Sequence, residues 1–266
     1  MMAAASNSTD ERLERIFELV PREIFLGPGP WKIRVNRRYI ETPSANPVHI
    51  YQNVLVALDA SKDINNGEPL LHASWIGAAC PKAGDTISHI GAGTGYYTAI
   101  LSLLALPGGS VHAFEIEESL ARRAQENLKP FEGVFLTQGD ATLLPLPASD
   151  LIYVNAGVVV PPVAWLQALK PGGRMIFPWQ PAEGIGVAML VTREQSAFIA
   201  RPLMPVRFIP CIGASDARLC ARAPSMSETR AIRSLRLTAD QAPDDTAVAI
   251  FPDIWFSTAG AHGPNP

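Results

Sequence analysis

The chain has 266 residues, of which 47% are hydrophobic and 18% charged, with a formal net charge of -3. That composition excludes a disordered chain, and the slight negative charge leaves no global basic field to neutralise the phosphates of a nucleic acid. The 24 prolines are nearly twice the ~5% background, so much of the length must lie in turns, and at about 150 residues per domain one large domain with additions fits as well as two.

Cys80, Cys211 and Cys220 are spaced for neither a disulfide framework nor a zinc site. Reduced thiols, no metal and a cytoplasmic setting are expected. Met1–Asp10 lacks a basic region followed by an apolar stretch, and no later segment approaches about 18 consecutive apolar residues, so neither export nor a membrane span is expected.

Leu13, Ile16, Phe17 and Val20 recur at helical spacing and predict an amphipathic helix ended by Pro21. The breakers in Gly27-Pro28-Gly29-Pro30, Thr42-Pro43, Asn46-Pro47 and Asn65-Asn66-Gly67 predict an irregular arm to about residue 66. Leu70 to Ala79 reads as a buried helix. From Asp85 the texture alternates: strands at 86–90, 110–114, 134–136, 151–154 and 174–178, helices at 97–105, 117–129 and 162–169. Such alternation predicts an α/β fold, a mainly parallel, doubly wound sheet with helical crossovers. After Pro178 helices are expected to cease. Strands at 186–192, 197–201 and 206–209 would end the sheet in an antiparallel hairpin, and two further candidates follow at 232–237 and 247–256, the second broken at Pro252-Asp253.

Ile90-Gly91-Ala92-Gly93-Thr94-Gly95-Tyr96 follows a predicted strand and opens a predicted helix. Glycines there allow a tight turn and a close ligand approach, and the helix N-terminus offers unpaired N–H groups. The dinucleotide fingerprint is G-x-G-x-x-G, whereas here Tyr96 stands where the third glycine would fall, which favours a nucleoside without a pyrophosphate. Glu115, about 20 residues further on, can accept from both ribose hydroxyls. Ile116 can pack on an adenine, Asp140, followed by Ala141, can accept from its exocyclic amine, and Asn155 closes the next strand at the edge where ligands of open α/β sheets bind.

These residues, with Lys82-Ala83-Gly84-Asp85, the strand Val111 to Glu115, Leu169-Lys170-Pro171-Gly172-Gly173-Arg174, Val20-Pro21-Arg22-Glu23-Ile24-Phe25 and Val206 to Pro210, make the chain resemble the protein-L-isoaspartate O-methyltransferase family. The resemblance implies a Rossmann-like class I methyltransferase with S-adenosylmethionine as donor and S-adenosylhomocysteine as product. It also implies that the loop Gly91 to Tyr96 holds the methionine part, Glu115 the ribose and Asp140 the adenine. Two departures stand out. His89 replaces a usually acidic residue, and by spacing from the loop the family's T-I-S-x-P segment falls on Asn65-Asn66-Gly67-Glu68-Pro69, with Gly67 in place of the serine that contacts the substrate carboxyl.

The parts expected are therefore a helix and acceptor-side arm at 1–66, a methyltransferase core at 67–213 and a β-rich extension at 214–266. Asn65, Asn66 and Gly67 are expected to contact the acceptor, a small molecule or peptide, with a homo-oligomer formed if the arm and tail cover apolar surface on a second subunit. A carboxylate acceptor is already ionised, whereas a phenol, alcohol or ammonium benefits from a base, for which Glu68 and His72 are the candidates. A lone histidine in a buried helix is commonly structural, and Glu68 suits a first helical turn. The reading expected first is a methyltransferase acting on a carboxylate or other O or N nucleophile of a non-standard acceptor, because Gly67 stands in place of the serine; the alternatives are the ordinary isoaspartyl enzyme or a cofactor-binding protein without turnover.

Overall fold

The computed structural model describes residues 10–195 and 197–261. Residues 1–9, on which most of the reading of the N-terminus rests, lie outside it. The chain forms two compact units divided after Gly139.

The first unit opens with helix α1 (Arg12–Leu19), which buries Leu13 and Ile16 as its spacing predicts, and helix α2 (Arg22–Leu26), entered through Pro21. The arm that follows is more ordered than its breakers suggest. Strands β1 (Lys32–Val35), β2 (Arg38–Glu41), β3 (Val56–Asp59) and β4 (Ile64–Asn66) form an antiparallel sheet in the order β2-β1-β3-β4. The β1–β2 hairpin turns on Asn36 and Arg37, both in the left-handed region at φ 47° and 66°, as a two-residue hairpin requires. Leu26, Trp31, Ile50 and Val56 are buried together, with Ile33, Val54 and Leu58 against them, so the prolines lie in loops around a real core.

Helix α3 (Pro69–Ala79) then leads to strand β5 (Thr86–Ile90), helix α4 (Tyr96–Ala105), strand β6 (Ser110–Glu115), helix α5 (Glu118–Asn127) and strand β7 (Val134–Gln138). The three strands are parallel, with β6 between β5 and β7. The buried apolar runs of β5 and β6 and the crossover helices are the pattern the sequence predicts, whereas β7 is largely exposed.

In the second unit, strand β8 (Ser149–Val154), helix α6 (Val163–Ala168) and strand β9 (Leu169–Ala182) form one parallel step. From β9 the chain continues antiparallel through β10 (Ile185–Glu194), β11 (Ala197–Pro205) and β12 (Ser234–Leu237), then β14 (Ile254–Ser257) and β13 (Ala247–Ile250) at the edge. The antiparallel part is thus larger than a hairpin, and Trp165, Trp179 and Trp255 are fully buried in this unit.

Two expectations are corrected here. Val206 to Ile209 is not a strand: the Gln180 side chain takes the place of a neighbouring peptide group, its Oε1 accepting from Phe208 N–H at 2.7 Å and its Nε2 donating to Phe208 O at 3.1 Å. Helices do not cease after Pro178 either. A further helix, α7 (Met226–Ala231), starts on a capping box between Ser225 and Glu228, a local signal that the tail's strand-like runs obscured. Among the described residues the cysteines are free, no helix is long and apolar enough to cross a membrane, and no group of His, Cys, Asp or Glu could hold a metal ion.

Candidate active site

The glycine loop leaves β5 tied to β6, with Gly91 N–H and Ala92 N–H both donating to Phe114 O at 2.9 and 3.0 Å. Gly93 has φ +59° and Gly95 φ +95°, and a Cβ on Gly95 would lie 2.9 Å from Leu128, so glycine is required there by both conformation and space. Gly95 caps α4. Glu115, at the end of β6, is buried and uses both carboxylate oxygens: Oε2 accepts from Gly93 N–H at 2.7 Å and Oε1 from Glu117 N–H at 2.9 Å. Burial raises its pKa, and these backbone donors pull the other way. Ile116, the next residue, is 37% exposed.

Thr94 is 1% exposed, and its Oγ1 is buried without a hydrogen-bond partner among the described residues. An orphaned hydroxyl inside a glycine loop is a cost that a ligand's polar group would remove. Tyr96 differs from its neighbours. Its ring packs on Phe25 and Phe17 at 5.5 and 6.4 Å, so its contribution to the loop is the main chain of the first turn of α4.

The segment expected to meet the acceptor is organised by a residue to which the sequence assigned no role. Arg22 is 1% exposed. Its Nε donates to Asn66 Oδ1 at 2.7 Å, its Nη1 to Ile50 O at 2.8 Å, and its Nη2 to Val54 O at 2.9 Å and Gly67 O at 3.0 Å. Asn66 is therefore committed to the arm. Asn65 accepts from the Tyr39 hydroxyl at 2.7 Å and donates to Asp63 O at 2.7 Å. Gly67 O also accepts from the Tyr97 hydroxyl at 2.7 Å.

Glu68 occupies the N-cap position of α3 without a side-chain capping bond and is half-buried, with its carboxyl raised by desolvation against the opposing pull of Arg22. His72, four residues on, is fully buried and stacks on Tyr97 at 3.7 Å between ring centroids. A Cβ on Gly67 would lie 2.1 Å from His72 Nε2, so the imidazole occupies the space a side chain at 67 would need. Burial holds His72 well below the ordinary imidazole value, with His89 and Arg22 adding to the shift. That makes it a weak base. His89 is also buried, at about 3, with Nδ1 2.8 Å from Thr98 Oγ1.

The remaining predicted residues belong to the second unit. Asp140 Oδ1 accepts from Thr142 N–H at 2.8 Å and from its hydroxyl at 2.7 Å. Ala141 is buried, and its carbonyl accepts from Trp165 Nε1 at 3.0 Å. Asn155 follows the last residue of β8.

The sequence profile of the family described as protein-L-isoaspartate(D-aspartate) O-methyltransferase matches residues 34–216. The chain belongs to this family. It is an S-adenosylmethionine-dependent methyltransferase with a Rossmann-like class I fold, and the reading as a cofactor-binding protein without turnover is set aside. Among its relatives, the protein-L-isoaspartate O-methyltransferase of Ignicoccus hospitalis is 31% identical over 73% of this chain and 85% of its own length. Protein-L-isoaspartate O-methyltransferase 1 of Cupriavidus necator is 29% identical over 79% and 77%. A solved protein-L-isoaspartate O-methyltransferase superposes with TM-score 0.67 at 23% identity, over 86% of this chain and 69% of that one. The Plasmodium falciparum structure, described as a putative protein-L-isoaspartate O-methyltransferase in complex with S-adenosyl-L-homocysteine, gives 0.62 at 18% identity, over 76% and 91%. At these identities the two structures speak to the fold alone.

The loop fits the family's cofactor on this chain's own geometry: left-handed glycines that keep a ligand's approach open, an orphaned Thr94 hydroxyl and a strand-end carboxylate. The sequence did carry a signal for Arg22, since an arginine directly after Pro21 and before the apolar Ile24-Phe25-Leu26 is out of place on a core-facing helix.

Proposed function

We propose that the chain transfers a methyl group from S-adenosylmethionine to the free carboxylate of an isoaspartyl residue in a peptide or protein, meeting that acceptor at Asn65 to Glu68. The observation that supports this most is the span of the family match, residues 34–216, which takes in the acceptor segment and the glycine loop together. In this reading Gly91, Ala92, Gly93, Thr94, Gly95 and the main chain of Tyr96 hold the methionine part. Glu115 holds the ribose and Ile116 the adenine, while Asp140, Ala141 and Asn155 keep the cofactor roles their positions suggested.

When bound, the donor supplies a methyl already activated for transfer. What the chain adds is alignment and exclusion of water. An ionised carboxylate needs no base, which suits a segment whose one histidine is buried and held neutral. The Gly67 main chain, fixed by Arg22 and Tyr97, takes the positioning role that a serine side chain has in the family.

Labelled methyl donor, an isoaspartyl peptide and its aspartyl counterpart test the reading. Base-labile label on the isoaspartyl peptide alone is expected, and none at saturating peptide would overturn it. A second reading, a different acceptor, is favoured by one observation: His72 fills the space beside Gly67. Label on another acceptor in a cell extract, with none on the isoaspartyl peptide, would select it.

A further inference from the structure

Arg22 is a buried cation whose hydrogen bonds all go to neutral oxygens. Its partners are the carbonyls of Ile50, Val54, Asn66 and Gly67 and the side-chain oxygen of Asn66. Among the described residues no carboxylate pairs with it. Taking a charge out of water is expensive and is commonly offset by a counter-charge, and neutral donors would close the same carbonyls without that cost. The charge therefore stands beneath Gly67, the main chain on which the proposed acceptor is positioned, with no carboxylate hydrogen-bonded to it.

We infer that Arg22 is a positioning and specificity residue for the acceptor: it locks the Asn66–Gly67 main chain and supplies the standing positive charge that selects an anionic, carboxylate acceptor. This rests on the functional reading above and deepens it. The lock has two other parts. Tyr97 donates to the same Gly67 carbonyl, and its ring stacks on His72, so the peptide plane after Gly67 is held from both sides. Glu68 is the carboxyl that feels Arg22 most directly in this segment, and Glu23 lies one step away, accepting from the Tyr51 hydroxyl that in turn accepts from Arg22 N–H.

The charge and the lock can be separated. Asn66→Asp keeps an oxygen on Arg22 Nε and cancels the charge without removing the clamp, so the fold is retained. Arg22→Gln removes both, and Arg22→Lys returns the charge alone. The full chain and each variant are assayed for kcat and KM with an isoaspartyl peptide, and for S-adenosylhomocysteine affinity by calorimetry.

The expected result for Asn66→Asp is a KM for the peptide at least about thirtyfold higher, the order expected when a buried charge loses an anionic partner, with S-adenosylhomocysteine affinity within about twofold. Arg22→Lys should recover part of the KM lost in Arg22→Gln. An unchanged KM in Asn66→Asp, or peptide KM and cofactor affinity worsening together, overturns the inference while leaving the activity standing. A wild-type chain inert toward the isoaspartyl peptide overturns the functional reading and this inference with it.

Discussion

Glu115 Oε2 accepts a hydrogen bond from Gly93 N–H at 2.7 Å, so the carboxylate proposed to hold the ribose also holds the loop that approaches the cofactor. Its other oxygen takes Glu117 N–H. Whichever way a glutamine is turned at this position, its NH2 group faces a backbone N–H. Glu115→Gln is therefore expected to weaken S-adenosylhomocysteine binding nearly as much as Glu115→Ala, by about 1.5–3 kcal/mol. Calorimetry showing full affinity in the glutamine variant would mean that the carboxylate serves neither purpose.

Gly93 itself sits at φ +59°, and a Cβ there would come 3.1 Å from Leu58 Cδ1 in the arm. A β-branched side chain in the left-handed region costs about 1–2 kcal/mol, before Leu58 is displaced. Gly93→Val should lower the melting temperature and reduce S-adenosylhomocysteine affinity by at least about tenfold. A variant that binds as the wild type does would place the ligand elsewhere on the chain.

His72 and His89 are both buried neutral, His89 at about 3 and His72 well below its ordinary value. A histidine depressed in the native state lends stability above its unfolded value near 6.5, and that stability is lost as pH falls toward the folded value. Between pH 7 and 5.5 the loss from His89 is roughly 1 kcal/mol, and His72 acts in the same direction. Urea denaturation at the two pH values should show it, and His89→Asn should remove part of the dependence. A flat profile would mean that the two rings are solvated or protonated in the native state.

The parallel part of the fold was legible because the strands from Thr86 to Gln138 are bounded apolar runs and their helices carry the expected period. The arm was not, since Lys32 to Val35 and Arg38 to Glu41 are too polar to announce strands, and the signal that makes them a hairpin is the left-handed pair Asn36-Arg37, neither of which is glycine. The glycine loop and Glu115 were legible from spacing, because backbone geometry dictates residue type there. Arg22 shows in the sequence only as an arginine out of place beside apolar residues, and its role was not legible, because its partners are carbonyls brought in from Ile50, Val54 and Gly67 by tertiary folding, and carbonyls leave no trace in side-chain identity. The same holds for Asn66, which reads as a turn residue and is a ligand of Arg22.

Gly67 and His72 should behave as a coupled pair. Serine at 67 would place its Cβ 2.1 Å from His72 Nε2, and the ring cannot swing freely while stacked on Tyr97. Gly67→Ser alone is expected to cost about 1–3 kcal/mol from overpacking, and His72→Ala alone should lose packing. The double variant should be more stable than the sum of the two predicts, by at least about 0.5 kcal/mol, because each change relieves the other. Strict additivity in a denaturation cycle would show that the ring moves aside at no cost.

Glu68→Gln separates the two acceptor readings. If the acceptor is an isoaspartyl carboxylate, no base is needed and Glu68 is a half-buried like charge on the acceptor segment that would repel it, by about 1–4 kcal/mol for charges about 4 Å apart across water-like to surface-like dielectrics. Removing that charge should then raise kcat/KM for an isoaspartyl peptide by a few-fold at pH 7, mainly through KM, while S-adenosylhomocysteine binds as before. If the acceptor must instead be deprotonated, Glu68 is the better-placed base, since His72 is buried and weakly basic, and the same substitution should abolish turnover with cofactor binding intact. The proposed function requires the first outcome; a loss of about a hundredfold or more, the size of a general-base contribution, would remove the isoaspartyl carboxylate as the acceptor.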